Sequence, residues 1–259
     1  MAKGGGSMKT AVITGGAGGL GRAMARGLQA QGWHTVLLDI DVADLETTRA
    51  QSVVAVDLTD KSALQRVADE VIASRPSIDL VVYNAGITHI GPCDELAEAT
   101  HRKVFEINYF AAVQLVQAML EPLRKSRGTH LAISSVAGFS PLYRRTAYAA
   151  SKHAMEGFFG SLRSEEAVHG VSTVIAAPSF VATNIGNDQR QADGTARPGS
   201  ASDGVDYMSP EAAAETILRG VARKKPFIPV GRLALLSWWV NCLSPRLFQH
   251  LMERKLRSD

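Results

Sequence analysis

Thr10-Ala11-Val12-Ile13-Thr14 runs directly into Gly15-Gly16-Ala17-Gly18-Gly19-Leu20-Gly21, and a helical segment through Arg22, Met24, Ala25 and Leu28 follows. Glycines at 15, 19 and 21 allow a tight turn, a close backbone approach to a pyrophosphate, and close packing of helix on strand. The start of the helix adds unpaired N–H groups and a partial positive charge. The spacing is Gly-x-x-x-Gly-x-Gly and not the commoner Gly-x-Gly-x-x-Gly. A merely flexible turn is the bland alternative, and the strand before it and the helix after it weigh against that.

The same alternation continues along the chain. Apolar runs bounded by turn residues recur at Thr35 to Asp39, Val53 to Asp57, Leu80 to Asn84, Thr129 to Ser134 and Val171 to Ala177. Each is read as a strand followed by a stretch of helical period, as in Leu64, Val67, Ala68, Val71 and Ile72. Strand then helix, repeated, predicts an α/β fold: a doubly wound, Rossmann-like parallel sheet with helices on both faces. In such sheets ligands sit beyond the carboxyl ends of the strands, where strand order reverses. Asp39, Asp57, Asn84-Ala85-Gly86, Ser134-Ser135 and Pro178 all fall at those ends.

The 259 residues carry 28 Lys and Arg against 25 Asp and Glu, a net +3 that argues against a nucleic-acid partner. No repeat or linker divides the chain, so a single domain over residues 8–259 is expected, with Met1 to Ser7 read as an appended leader ahead of a start at Met8. Cys93 and Cys242 are far apart and lack metal-type spacing, and no signal-peptide pattern is present, so unpaired packing cysteines and a reducing cytoplasm are expected. The seven histidines show no convergent ligand spacing, and no metal site is expected.

Asp39 closes the second strand about 20 residues beyond the glycine turn, where an acid accepts hydrogen bonds from both hydroxyls of an adenosine ribose. A carboxylate there repels a 2′-phosphate, and neither Gly18 nor Ile40 is a base that would bind one, so NAD is expected over NADP. Asp57 suits either the adenine amino group or the cap of a turn.

Tyr148 and Lys152 stand four residues apart, on one face of a helix. Free tyrosine titrates near ~10, and each unit of lowering needs roughly 1.4 kcal/mol of preference for the phenolate, so an acid/base tyrosine needs a cation beside it. Lys152 is that cation in this reading.

With the glycine turn, Asn84-Ala85-Gly86, Asn108, Ser135 and Tyr148-x-x-x-Lys152 in this order and spacing, the chain resembles the short-chain dehydrogenase/reductase family from about Lys9 to Ala222. Tyr83 stands where that family usually has an Asn, and Ser179 where it usually has a Gly. The resemblance implies a catalytic set of Asn108, Ser135, Tyr148 and Lys152: Tyr148 as base or acid, Ser135 holding the substrate oxygen, Lys152 binding the nicotinamide ribose and lowering the tyrosine pKa, and Asn108 holding a water on the proton path. It also implies a dinucleotide cleft lined by Gly15, Ala17, Gly18, Gly19, Leu20, Gly21, Asp39, Asp57, Leu58, Asn84, Ala85, Gly86, Pro178, Phe180, Val181 and Thr183. Ser134 points the other way from Ser135 by strand alternation and belongs behind the site.

On the substrate side, Phe139, Leu142, Tyr143, Ser179, Phe180, Ile185 and Met208 suggest an apolar pocket for a lipophilic or cyclic secondary alcohol and its ketone. Residues 187–208, rich in Gly, Asp, Ser and Gln, are expected to form a mobile substrate lid. From residue 230 the tail turns apolar and basic: Leu233 to Leu243 with Trp238 and Trp239, then Leu247, Phe248, Leu251, Met252 and Leu256 among Arg246, Arg254, Lys255 and Arg257. It is too short to span a bilayer. Packing on the protein is the first expectation for it, and peripheral membrane contact the second. The helices through Asn108 to Leu123 and Ser151 to His169 carry apolar residues on more than one face, and the resemblance implies a homodimer or homotetramer built on them. Competing readings are a dinucleotide-sensing protein without turnover, an NADP(H)-dependent ketoreductase, and a dehydratase or epimerase. A sensor has no need of a tyrosine base beside a lysine.

Overall fold

The computed structural model describes residues 8–183, 191–198 and 207–256. Its central feature is a seven-stranded sheet built from β1 (Thr10–Thr14), β2 (His34–Asp39), β3 (Gln51–Ala55), β4 (Leu80–Tyr83), β6 (Thr129–Ile133), β7 (Ser172–Pro178) and β9 (Phe227–Val230). The order is β3-β2-β1-β4-β6-β7-β9, and every pairing is parallel. Order reverses between β1 and β4, so a crevice opens at their carboxyl ends. A separate two-stranded ribbon pairs β5 (Thr88–His89) antiparallel with β8 (Thr195–Ala196).

Period two is hidden in the sequence because both faces of the sheet are covered. Val12 of β1 joins an apolar cluster with Leu64, Leu115 and Phe159, whereas its neighbours Ala11 and Ile13 join another with Met24, Leu28 and Ile217. The first cluster is roofed by α2 (Lys61–Ser74), α4 (Ala111–Ser126) and α5 (Thr146–Ala167); the second by α1 (Gly19–Gln29) and α6 (Pro210–Ala222). All five β1 residues are buried. An aliphatic residue on either side therefore gains burial worth roughly 1.5–3 kcal/mol, and no polar alternation is selected.

Three features depart from the sequence reading. No helix joins β2 to β3: residues 40–50 cross over as turns, closed by a Thr48–Gln51 bridge. Ile40, Asp41, Asp44 and Glu46 supply no continuous apolar stripe for a helix to bury. The seventh strand, β9, is short and carries Pro229, a residue that weakens a strand signal; it is tolerated here because β9 is an edge. Both cysteines are unpaired, but they are exposed and do not pack in the core.

The chain between 98 and 126 is one bent rod. α3 (Glu98–Phe105) passes through a turn of π-helix, Glu106–Phe110, into α4. Such bulges push one side chain out of helical register, commonly at functional sites. The side chain placed this way is Asn108.

The tail forms α7 (Arg232–Leu243) and α8 (Pro245–Leu256). Trp238 stacks on Phe227 of β9 with ring centroids 5.7 Å apart, and Asn241 donates to the Phe139 carbonyl at 2.6 Å, so α7 packs on the protein as expected first. Its other side leaves Leu235, Leu236, Trp239 and Leu243 exposed, continued on α8 by Leu247 and Leu251. No described helix is long and apolar enough to cross a membrane.

Candidate active site

A cleft of about 320 Å³ follows the switch point. At one end lie Gly15, Gly18, Gly19, Leu20, Asp39, Asp57 and Leu58; Asn84, Ala85 and Gly86 form its middle; Ser135, Tyr148, Lys152, Pro178, Ser179, Phe180, Val181 and Thr183 close the other end.

The glycine turn is shaped as its spacing predicts. Gly15 has φ +64°, and a Cβ there would come within 2.9 Å of Ala85 Cα, so a side chain would meet both strain and backbone. A Cβ at Gly21 would lie 2.3 Å from the Gly15 carbonyl oxygen, which identifies Gly21 as the point where helix and turn touch. Gly21 and Ala17 thus shape the turn from behind, and neither lines the cleft. Asp39 braces it: Oδ2 accepts from Ala17 N–H at 2.9 Å, and Oδ1 from its neighbour Ile40 N–H at 2.9 Å. Asp57 takes the capping alternative, accepting from Thr59 N–H at 2.9 Å while still facing the cleft. Asn84 donates to the carbonyls of Thr14 and Gly15, both at 3.0 Å, which ties the β4 end to the turn.

These residues fit a dinucleotide. No side chain caps the start of α1 at Gly18, and its first turn holds no acid, so N–H groups and the positive helix end face the cleft without a competing anion.

At the other end, Tyr148, Ser151 and Lys152 of α5 are buried. Ser135 lines the cleft with Tyr148, and its Oγ accepts from Ala137 N–H at 3.2 Å. Burial pushes the Tyr148 phenol above its ordinary value; the Ser135 hydrogen bond and the charge of Arg145 pull it back. The sequence reading assigns that pull to Lys152. Instead, Lys152 Nζ donates to the Ile133 carbonyl at 2.8 Å and stands 5.9 Å from the centre of the Tyr148 ring. Burial lowers Lys152 itself to about 8.

Asn108, 1% exposed, lies behind the cleft and clamps two segments. Its Oδ1 accepts from Ile87 N–H at 2.8 Å, and its Nδ2 donates to the Ile87 carbonyl and to Ser151 Oγ, both at 2.9 Å. The clamp holds the β4–β5 connection against α5, with Lys152 between: a Cβ at Gly86 would stand 3.2 Å from Asn108 Oδ1 and 3.6 Å from Lys152 Nζ.

The substrate-side expectations divide. Leu142, Ser179 and Phe180 line the cleft. Phe139 does not; its ring meets Phe227 edge-on at 5.9 Å because α7 holds its backbone toward β9. Tyr143 turns outward, exposed, with the Arg144 guanidinium over its ring. Met208 supports the cleft wall from behind, its backbone exchanging hydrogen bonds with Phe180 and Ala182. Ile185 lies outside the described residues, as do 187–190 and 199–206 of the expected lid.

The described part of that lid is anchored. β8 pairs with β5, and Lys103 Nζ reaches Asp193 Oδ2 at 2.7 Å and Gln191 Oε1 at 2.9 Å. The Lys103 and Thr195 hydrogen bonds hold the Asp193 carboxyl down to about 2. Sequence reasoning missed Thr88, Arg145 and Arg197, which line the cleft. Arg145 lies three residues before Tyr148, within one turn, a legible signal; Arg197 depends on the β5–β8 pairing and has none.

The short chain dehydrogenase family model matches residues 9–194. Dehydrogenase/reductase SDR family member 7B of Xenopus laevis is 32% identical over 263 residues, covering 95% of this chain and 81% of that protein. Among solved structures, a short chain dehydrogenase from Burkholderia cenocepacia in complex with NADP superposes with a TM-score of 0.83 at 19% identity, over 95% of this chain and 98% of that one. A 4-hydroxyisoleucine dehydrogenase complexed with NADH gives 0.63 at 26% identity, over 67% of this chain and 74% of that one. A crevice at the strand-order switch, a glycine turn braced by an acid, and a Ser–Tyr–Lys group at the far end agree with that match: the chain belongs to the short-chain dehydrogenase/reductase family of oxidoreductases.

Proposed function

We propose that this protein is an NAD(H)-dependent oxidoreductase that interconverts a secondary alcohol and its ketone, with Tyr148 as the acid/base. One observation carries the reading: Ser135, Tyr148 and Lys152 line the same cleft as Gly18, Gly19 and Asp39. A nicotinamide dinucleotide laid along it supplies the hydride acceptor or donor.

The chain's own residues do the rest. An alcohol losing hydride must also lose its hydroxyl proton, and Tyr148 Oη takes it; in reduction the same phenol returns it. Ser135 holds the substrate oxygen against the phenol, a preorganised dipole where charge develops. Arg145 and Ser135 both favour the phenolate. Lys152 holds the nicotinamide ribose, and Asn108 fixes the floor beneath it. Val181, Phe180, Ile87, Ile107 and Leu142 give the cleft apolar walls that suit a lipophilic or cyclic substrate and exclude water. Asp39 is the support for NAD over NADP, since its carboxylate lines the end of the cleft where an adenosine ribose would be held.

The exposed, unpaired Cys93 and Cys242 suit a reducing compartment, which we take to be the cytoplasm. We place a second copy of the chain on α4 and α5, where Phe110 just before α4 and Val168 just after α5 are exposed.

The test is a panel of secondary alcohols of increasing size, followed by NADH absorbance, with Tyr148→Phe as control. Loss of one proton-transfer group predicts a fall of about 10²–10⁴ in kcat/KM with unchanged circular dichroism. Turnover retained in Tyr148→Phe rejects the mechanism; cofactor binding without turnover of any alcohol in either direction favours the sensor reading.

A further inference from the structure

Ser134 and Ser135 are adjacent, yet they serve opposite sides of the strand end. Ser135 faces Tyr148, whereas Ser134, 2% exposed, donates from Oγ to Glu156 Oε1 at 2.7 Å. Glu156 lies one turn beyond Lys152 on α5, so Tyr148, Lys152 and Glu156 form one stripe. The contact is closely fitted: a Cβ on Gly138 would fall 2.2 Å from both Glu156 Oε1 and Ser134 Oγ. Gly138 is therefore the residue that leaves room for the Ser134–Glu156 hydrogen bond, one helical turn from Lys152. Lys152 Nζ, meanwhile, is directed at the Ile133 carbonyl and away from bulk water.

We propose that Glu156, held by Ser134 and given room by Gly138, is a positioning residue that keeps Lys152 in its ammonium form. The inference rests on the assignment of Lys152 to the cofactor and proton-transfer end of the cleft. A buried lysine drifts toward neutrality, and a neutral amine holds a ribose hydroxyl less firmly than an ammonium does. Around Lys152 the ionisable groups are Tyr148, His153 and Glu156 on α5 and Arg145 just before it. Among the described residues Glu156 is the one whose charge raises Lys152. Burial pushes the Glu156 carboxyl up, and Ser134, the charge of His153 and that of Lys152 pull it back; Arg145 acts on Tyr148, and His153 is exposed, its Nδ1 at the Ala149 carbonyl.

The experiment reads the lysine directly. In protein carrying ¹³C at the lysine ε-carbon, the Lys152 resonance, identified by its absence in Lys152→Met, is titrated in the wild type, Glu156→Gln, Glu156→Asp, Ser134→Ala and His153→Asn. The wild-type midpoint is expected near about 8. Glu156→Gln should lower it by roughly 0.5 unit or more, Ser134→Ala by less, and Glu156→Asp should largely restore it; His153→Asn should leave it in place. The alkaline limb of kcat/KM should move with the midpoint, costing roughly threefold at a fixed pH above it. A Lys152 midpoint equal in wild type and Glu156→Gln overturns the proposal, and so does a loss in Glu156→Gln that is the same at every pH. Because the resonance titrates with or without turnover, a moved midpoint in a protein that oxidises no alcohol would fault the assigned reaction and not the role of Glu156.

Discussion

Each Asp39 carboxylate oxygen accepts a hydrogen bond from a backbone N–H, of Ala17 and of Ile40, and the side chain is thereby fixed beside the cleft. A 2′-phosphate would bring a second negative charge close to it. Like charges about 4 Å apart cost roughly 1–4 kcal/mol between water-like and surface-like dielectric, so NAD should be preferred by roughly fivefold or more. Replacing Asp39 by Ala together with Ile40→Arg should move the ratio of kcat/KM for NAD and NADP by at least that factor toward NADP. An unchanged ratio would remove Asp39 from the cofactor site. The Tyr148–Lys152 pair at the other end of the cleft shows how far spacing alone carries. A separation of four residues placed both side chains in the cleft, but the direction of the lysine was set by the Ile133 carbonyl, which lies on β6.

Among the elements, β4, β6 and α5 share a buried polar contact that takes no part in the reaction. Tyr83 on β4 bonds through its hydroxyl to His130 Nδ1 on β6 at 2.7 Å, and the Phe159 ring of α5 lies 4.9 Å from the Tyr83 ring. Tyr83 is one of the two residues that depart from the family pattern, and this contact is its local consequence. Burial lowers His130 to about 4, with Glu166 opposing and Arg124 assisting. The folded state therefore favours neutral imidazole, and between the ordinary value near ~6.5 and about 4 the unfolded chain binds more protons. Stability should fall as pH drops through that window, by about 3 kcal/mol in all for this group. Urea melts of the wild type and His130→Phe check it: the variant should be less stable at neutral pH and lack that portion of the acid loss. Parallel acid profiles would contradict it. The π turn at Glu106–Phe110 works at the same level, since without it Asn108 would not reach Ile87 and Ser151 together.

For the molecule as a whole, the unresolved balance is at the surface of the tail. α7 and α8 bury Ala234 and Phe248 but leave Leu236 61%, Trp239 52% and Leu243 78% exposed. Exposed apolar area of this kind marks a docking face, and Arg232 and Arg246 stand beside it. If anionic lipid covers this face, co-sedimentation with phosphatidylserine vesicles should be salt-sensitive and lost in Trp239→Ser with Leu243→Ser. If a second copy covers it, the same substitutions should lower the mass measured by light scattering. Retention of both properties in the double variant would show that this face binds neither.

Local order set the architecture and the chemical groups: apolar runs ending in turn residues, a glycine turn between strand and helix, and Tyr148 one helical turn from Lys152 are all short-range patterns, legible because backbone sterics and helix period act over a few residues. The bridging of Lys103 to Asp193, the pairing of β8 with β5, the bare connection from β2 to β3, the outward turn of Tyr143 and the hydrogen bond of Ser134 to Glu156 were decided by tertiary structure. Each depends on which distant segments compete for the same space and the same hydrogen-bond partners, and that competition leaves no mark in the spacing of neighbouring residues.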